Sequence, residues 1–224
     1  MSRFKLDCVL FDLDGTLVDT APDLVACLNE ALAAHGHANI DHGDIKPMIS
    51  LGALAMIKQA VPDADESRQT ALLEFMLDCY QNNIARHSRF FDGIVETLEI
   101  IETLGLKWGV VTNKRERFTL PLMDALNLSR RAACVISGDT TANSKPHPEP
   151  MLAACRQAKV NPENCVYIGD ASHDIAAGNN ANMKTLVAKY GYLKDGDQPE
   201  NWGADGLIEH PQQLQQWIEA SLCH

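Results

Sequence analysis

The sequence lacks an excess of basic residues and lacks long apolar runs. Its 30 acidic and 19 basic residues give a formal net charge of −11, whereas surfaces that bind nucleic acids or acidic membranes are rich in Lys and Arg. No apolar stretch approaches the roughly 20 residues that span a bilayer, and Asp7 and Asp12 interrupt the first apolar run too early for a signal peptide. We therefore expect a cytoplasmic protein without nucleic-acid or membrane partners.

Cysteine pairs with C-x-x-C spacing are also absent. The seven cysteines, most of them in apolar segments, are Cys8, Cys27, Cys79, Cys134, Cys155, Cys165 and Cys223. Such a distribution is typical of buried, reduced thiols in a cytoplasmic protein. We predict free thiols rather than disulfides or a zinc site.

Strand patterns are absent between residues 17 and 89, and internal repeats and Ser-, Gly- or Pro-rich linkers are absent from the whole sequence. The patterns in this stretch instead indicate helices over residues 20–36, 54–61 and 66–87. We predict an inserted, all-helical cap domain over residues 17–89. Two short hinges would join it to a core domain that comprises residues 1–16 and 90–224.

Short apolar runs alternate with helical patterns in the rest of the chain. The first run ends at Asp12, and the later ones cover residues 108–112, 133–137, 165–170, 185–188 and 206–209. Strands that alternate with helices form parallel sheets with helices on both faces. We therefore predict an α/β fold, with a Rossmann-like parallel-sheet core and an inserted helical cap domain.

Polar residues follow the ends of these predicted strands. Asp12 and Asp14 come directly after the first run, where like charges cost free energy unless a cation lies between them. Because ligands gather at the carboxyl ends of parallel strands, residues after the other strands should meet these acids. Those residues are Thr112, Asn113, Lys145, Asp170 and Asp174. Taken singly, each is explained by a turn, a surface lysine or a helix cap, but together they predict one site.

Four motifs in this order resemble those of the haloacid dehalogenase-like superfamily of phosphohydrolases. They are "DLDGT" from Asp12, "VVTNK" from Val110, "NSKPHPEP" from Asn143 and "GDASHD" from Gly169. The resemblance covers essentially the whole chain, and it implies a helical cap after the first motif. Asp14 favours phosphate esters over the dehalogenase reaction, since dehalogenases need no acid at this position.

Phosphate-ester hydrolysis makes the same demands on these residues as the family resemblance does. Asp12 is the predicted nucleophile, because a carboxylate can form an aspartyl-phosphate, and Asp14 is the predicted general acid and base. Thr112 through its hydroxyl, Asn113 through its backbone N–H and Lys145 through its charge are predicted to hold the phosphoryl group.

The predicted cofactor is Mg²⁺, which prefers carboxylate and carbonyl oxygens and keeps several waters. Side-chain oxygens of Asp12 and Asp170 and the backbone carbonyl of Asp14 are the predicted ligands. Asp174 is expected to contact the ion through water or from behind the direct ligands.

The predicted substrate is a small phosphate ester. The overall pattern resembles phosphoglycolate phosphatases, and stretches such as "WGVVTNKRERF" and "KYGY" resemble bacterial N-acetylmuramic acid 6-phosphate phosphatases of cell-wall recycling. Both substrates carry a carboxylate, so we expect Lys58, Arg86 or Arg89 to bind it. Ser50 and Leu51 lie in a segment that faces the phosphate in related enzymes.

Two other functions stay open on the sequence alone. A phosphosugar mutase of the β-phosphoglucomutase type would share every motif. A receiver-like signalling module, phosphorylated on an aspartate, also has acids, Thr and Lys at its strand ends. Multiple turnover of p-nitrophenyl phosphate with Mg²⁺ would distinguish the enzymes from a receiver.

Overall fold

The computed structural model describes residues 4–222. Cys223 and both ends of the predicted core domain lie outside the described residues. The strands are β1 (Cys8–Phe11), β2 (Val18–Asp19), β3 (Arg89–Phe90), β4 (Lys107–Val111), β5 (Cys134–Ile136), β6 (Cys165–Gly169), β7 (Lys184–Ala188) and β8 (Gly206–Ile208). The α-helices are α1 (Ala21–Ala34), α2 (His42–Ile45), α3 (Ala53–Ala60), α4 (Glu66–Asn82), α5 (Ile94–Thr103), α6 (Glu116–Ala125), α7 (Glu149–Ala158), α8 (Ser172–Asn180) and α9 (Pro211–Leu222).

Six parallel strands form one sheet in the order β5-β4-β1-β6-β7-β8. Strand β1 lies at the centre, where Leu10 pairs with Gly109 on one side and with Tyr167 on the other. All four β1 residues are fully buried, as expected for a parallel strand that is covered on both faces. The predicted α/β fold with a Rossmann-like sheet is confirmed.

Helices cover both faces of this sheet. Helices α5, α6 and α9 contribute Leu98, Leu122 and Leu214 to an apolar cluster with β1 and β4 on one face. Helices α7 and α8 contribute Met151 and Ala177 to the cluster on the other face. The strand order brings the ends of β1, β4 and β6 side by side, and these are the strands that three of the sequence motifs follow.

The chain between β2 and β3 is helical and has an apolar cluster of its own. Helices α1 and α4 pack there through Leu28, Leu72 and Met76. The predicted absence of strands from this stretch is wrong for Val18 and Asp19, which pair antiparallel with β3, because two residues are too few to show a strand period. Helix α4 also ends earlier than predicted, before Ala85, which has a left-handed φ of 60°.

The two ends of this helical segment are tied together. Asp23 on α1 is 2% exposed and accepts hydrogen bonds from the backbone amides of His87 and Ser88, both at 2.8 Å, and from Ser88 Oγ at 2.6 Å. The chain therefore leaves and re-enters the sheet region at one place. The cap domain over residues 17–89 stays a prediction, and this junction is where its two hinges would lie.

Cysteines in the described part of the chain form no disulfides, as predicted. Those at positions 8, 27, 134, 155 and 165 are buried, and Cys79 is partly exposed. Cys155 Sγ and Cys165 Sγ are 3.8 Å apart, far longer than a disulfide bond of about 2.05 Å. Within residues 4–222, no helix combines the length and apolar character needed to cross a membrane.

Candidate active site

The first motif forms the turn that follows β1. The Asp12 amide donates to Ile168 O at 2.8 Å, which extends the parallel ladder and leaves the Asp12 side chain at the strand end, 5% exposed. Gly15 has a φ of 83°, and a Cβ at this position would collide with the Asp170 carboxylate. Glycine is needed here because it tolerates the positive φ and lets the turn approach the end of β6.

Asp12, Asp170 and Asp174 converge at this edge of the sheet. One carboxylate oxygen of each lies within 4.8 Å of the others, and all three side chains are buried. Burial and the neighbouring acids raise the pKa of Asp12 to about 7 and raise the pKa of Asp170 well above its ordinary value. Ionising these carboxylates together is therefore costly unless a cation joins them.

The acid cluster fits a magnesium ion. Asp12 Oδ1 is buried and accepts no hydrogen bond from the described residues. Asp170 Oδ2 accepts from Ser50 Oγ at 3.0 Å and from the Tyr192 amide at 2.8 Å, whereas Asp170 Oδ1 has a long contact of 3.5 Å with Thr16 Oγ1. Oxygens of Asp12 and Asp170 are thus available to a hard divalent cation.

Asp174 is occupied differently, because both of its oxygens have hydrogen-bond partners. Its Oδ1 accepts from Lys145 Nζ at 2.6 Å and from Tyr167 Oη at 3.2 Å, and its Oδ2 accepts from the Ala171 amide at 3.1 Å. Burial opposes its ionisation, but Lys145, His173 and the Ala171 amide together outweigh burial and lower the pKa of Asp174. This geometry favours the predicted contact from behind the direct ligands.

Lys145 is the positive group of the site, and its side chain is fully buried. Its Nζ donates to Val111 O at 3.1 Å, to Tyr167 Oη at 2.9 Å and to Asp174 Oδ1 at 2.6 Å. The same Nζ lies 2.9 Å from Asp12 Oδ1, so four oxygens surround the three ammonium hydrogens. Burial disfavours the charge of Lys145, yet Asp12 and Asp174 outweigh it and raise the Lys145 pKa.

Thr112 and Asn113 lie directly after β4, as predicted. The Thr112 amide continues the ladder to Ile136 O at 2.9 Å. The Asn113 side chain donates to Lys145 O at 3.2 Å and accepts from the Lys145 amide at 3.0 Å. The sequence indicated only the backbone N–H of Asn113, whereas its side chain also ties the loop of the second motif to that of the third.

Asp14 has two partners, of which neither was predicted. Its Oδ1 accepts from Thr20 Oγ1 at 2.5 Å, and Lys114 Nζ contacts both of its oxygens. Lys114 follows Asn113 in the second motif, so its place at the strand end was the available signal. Tyr167 and Tyr192 were missed as well, and the Tyr192 contact with Asp170 uses a backbone amide that no side-chain pattern reveals.

Ser50 brings the helical segment to the acid cluster, through its hydrogen bond with Asp170. The three basic residues that were expected to bind the substrate carboxylate make no contact with the acid cluster among the described hydrogen bonds and ion pairs. Lys58 and Arg86 are exposed, and Arg89 donates a hydrogen bond to Ser88 O at 2.8 Å. A cavity of about 430 Å³ lies between residues 43–48 and 191–195, and Lys46 is among its lining residues.

Comparisons with known proteins agree with this geometry. Residues 9–188 match the family model described as haloacid dehalogenase-like hydrolase. An N-acetylmuramic acid 6-phosphate phosphatase from Pseudomonas putida is 43% identical over 222 residues, which cover 98% of this chain and 99% of that protein. A phosphoglycolate phosphatase from Xylella fastidiosa is 42% identical over 206 residues, which cover 92% of this chain and 90% of that protein.

A solved structure shows the same fold. The crystal structure of a predicted phosphoglycolate phosphatase from Haemophilus somnus matches with a TM-score of 0.85 and 26% sequence identity, over 97% of this chain and 99% of that one. These matches confirm the resemblance drawn from the four motifs. The chain belongs to the haloacid dehalogenase-like hydrolases.

Proposed function

We propose that this protein hydrolyses a small phosphomonoester through a phosphoryl group carried on Asp12. The observation that carries the proposal is the burial of Asp12 and Asp170 together, with Lys145 Nζ 2.9 Å from Asp12 Oδ1. An anionic nucleophile and an anionic substrate repel each other unless positive charge is present at the point where they meet. Lys145 supplies one positive charge there, and the acid cluster fits a second.

The first step is attack on phosphorus by an Asp12 carboxylate oxygen. A new P–O bond forms, the bond to the leaving oxygen breaks, and Asp14 gives that oxygen a proton. Thr112 and Asn113 hold the phosphoryl oxygens at the end of β4. In the second step Asp14 takes a proton from water, the water oxygen attacks phosphorus, and inorganic phosphate leaves a regenerated Asp12.

Oxygens of Asp12 and Asp170 and the backbone carbonyl of Asp14 are the groups that would hold Mg²⁺, with Asp174 behind them. When bound, the ion supplies charge neutralisation for the phosphoryl oxygens. Asp174 meanwhile fixes Lys145 through the 2.6 Å ion pair and begins helix α8 through its bond with the Ala171 amide.

For the substrate, we propose N-acetylmuramic acid 6-phosphate, with 2-phosphoglycolate as the second candidate. Relatives at 43% and 42% identity carry these two activities in their names, and both esters bear a carboxylate. The wall of the cavity that Tyr192 helps to line carries two cations, Lys46 and Lys194, and two acids, Asp44 and Asp195. Of these groups, Lys46 is the one that we propose binds the carboxylate. A mutase or a receiver is not favoured, since full-length relatives are named as phosphatases, and we place the reaction in the cytoplasm.

The test is turnover of several esters under one set of conditions. We expect kcat/KM to be highest for N-acetylmuramic acid 6-phosphate when it is compared with 2-phosphoglycolate and with sugar 1-phosphates. EDTA should stop the reaction and Mg²⁺ restore it. Release of at most one equivalent of product, or undiminished turnover after metal removal, would refute the proposal.

A further inference from the structure

Lys114 bridges the carboxylate of Asp14. Its Nζ lies 3.1 Å from Asp14 Oδ1 and 3.3 Å from Asp14 Oδ2. The two side chains are only 7% and 14% exposed, whereas exposed ion pairs gain little because solvent screens them. With Thr20 Oγ1 donating to the same carboxylate, Asp14 is held in one orientation.

The main chain of Lys114 is also held by its neighbours. Its amide donates to Thr112 Oγ1 at 3.2 Å, and its carbonyl accepts from Thr119 Oγ1 at 3.0 Å and from the Gly138 amide at 2.8 Å. The backbone from which the Lys114 side chain extends is therefore fixed in the loop that carries Thr112 and Asn113.

Tyr80 contacts Lys114 from the helical segment. The centroid of its ring lies 4.5 Å from Lys114 Nζ, within the range in which a cation is attracted to an aromatic face. Tyr80 is 1% exposed and packs against Phe118 with ring centroids 5.5 Å apart. The ring face therefore contacts the ammonium group, and Lys114 also lowers the pKa of Tyr80 against the larger, opposite effect of burial.

We propose that Lys114 is a positioning residue for Asp14, and that the ring of Tyr80 keeps Lys114 in place. This inference rests on the proposed function, in which Asp14 protonates the leaving oxygen and becomes the carboxylate that Lys114 binds. Proton transfer requires the acid within about 2.6–3.2 Å of that oxygen, so an unrestrained carboxylate loses efficiency. The seating of helix α4 on the core thereby controls the placement of the acid.

Lys114→Met tests this role, because it removes the ammonium group and keeps an unbranched side chain. We expect kcat/KM for an alkyl phosphate, 2-phosphoglycolate or N-acetylmuramic acid 6-phosphate, to fall by about tenfold to a hundredfold. The value for p-nitrophenyl phosphate should fall by less than about threefold, since its leaving group needs little protonation. Lys114→Arg should recover part of the loss.

The contact with Tyr80 is tested by a matched pair of substitutions. Tyr80→Phe keeps the aromatic face and should leave the ratio of the two kcat/KM values unchanged. Tyr80→Leu removes that face and should lower the alkyl phosphate value selectively. Lys184→Met, which breaks the ion pair with Asp205 at the start of β7, is the control and should not change the ratio.

Equal losses on both kinds of ester, or no loss, would overturn the positioning role. Crystal structures of the unmodified protein and of Lys114→Met give a readout that does not depend on turnover. We expect the Asp14 carboxylate to rotate in the variant, and an unchanged orientation would overturn the inference. Absence of Mg²⁺-dependent turnover in the unmodified protein would refute the proposed function instead, while the two structures would still decide the role of Lys114.

Discussion

Asp12 and Asp174 both contact Lys145, yet the surroundings of the two carboxylates differ. Asp174 has hydrogen bonds on both oxygens, whereas the partner of Asp12 Oδ1 is the ammonium group of Lys145, 2.9 Å away. An oxygen that is held by one ammonium group keeps a lone pair for a ligand such as a metal ion or a phosphorus atom. The difference supports Asp12 as the reacting carboxylate and Asp174 as the residue that orients Lys145.

Asp14→Asn should separate substrates by their leaving groups. The amide cannot protonate an alkoxide, so kcat/KM for alkyl phosphates should fall by about two to four orders of magnitude. The loss for p-nitrophenyl phosphate should be much smaller, and kcat/KM is the suitable quantity because it reports the steps up to departure of the leaving group. Equal losses for both esters would contradict the role of Asp14 as the acid.

Lys46→Ala should weaken recognition of a substrate carboxylate. Lys46 is partly buried in the wall of the 430 Å³ cavity, so its loss should raise KM for carboxylated esters by about tenfold, the value of one charged hydrogen bond. KM for p-nitrophenyl phosphate should not change. Lys58→Ala, at an exposed position on α3, is the matched control, and an equal effect of both substitutions would contradict the assignment.

At the scale of the elements, Asp23→Ala should destabilise the junction between the helical segment and the sheet. The substitution leaves the amides of His87 and Ser88 and the Ser88 hydroxyl without their acceptor. We expect the free energy of unfolding to fall by roughly 2–4 kcal/mol, as measured by urea denaturation. Asp78→Ala, at an exposed position on α4, is the control and should change the free energy of unfolding by less than about 0.5 kcal/mol. A similar loss of stability in both variants would contradict the stabilising role of Asp23 at this junction.

The strand ends of the site were predictable because a parallel sheet brings them to one edge. Asp12, Thr112 and Asp170 each follow a short apolar run, and the sheet order places those runs side by side. The contacts of Lys114 with Asp14 and with Tyr80 were not predictable. They depend on how helix α4 packs against the sheet domain, and the hydrophobic periodicity of the helix itself does not determine that packing.

Weak or very short sequence patterns account for the remaining differences between the predicted and the observed elements. Val18 and Asp19 form a two-residue strand only because β3 is there to pair with it. Helix α4 ends before Ala85 although the polar residues after Asn82 are compatible with a helix. The Asn113 side chain joins its own loop to the loop that contains Lys145. This role was not predictable because the two loops are distant in sequence.

At the scale of the whole molecule, metal binding should stabilise the folded protein more strongly as the pH rises. Burial raises the pKa of Asp12 to about 7 and also raises that of Asp170, so the metal-free folded state keeps protons that the unfolded state has lost. The contribution of Asp12 to stability therefore decreases as the pH rises from about 4 to about 7, and the contribution of Asp170 changes in the same direction. Mg²⁺ binds the ionised carboxylates, so protons compete with it at low pH.

Thermal denaturation with Mg²⁺ and with EDTA measures this effect. The gain in Tm from Mg²⁺ should be small near about pH 5 and larger near about pH 8, and Mg²⁺ at about a hundred times its Kd contributes about 2.7 kcal/mol. Asp12→Asn and Asp170→Asn should abolish the gain. An equal gain at both pH values, or an undiminished gain in both variants, would contradict the proposed metal site.

A crystal structure of the protein grown with Mg²⁺ and beryllium trifluoride, a mimic of the aspartyl-phosphate, tests directly whether Asp12 carries the phosphoryl group. We expect beryllium bonded to an oxygen of Asp12, Mg²⁺ in contact with Asp12 and Asp170, and Lys145 beside the fluorides. Beryllium or metal bound away from Asp12 and Asp170 in well-ordered crystals would contradict this expectation.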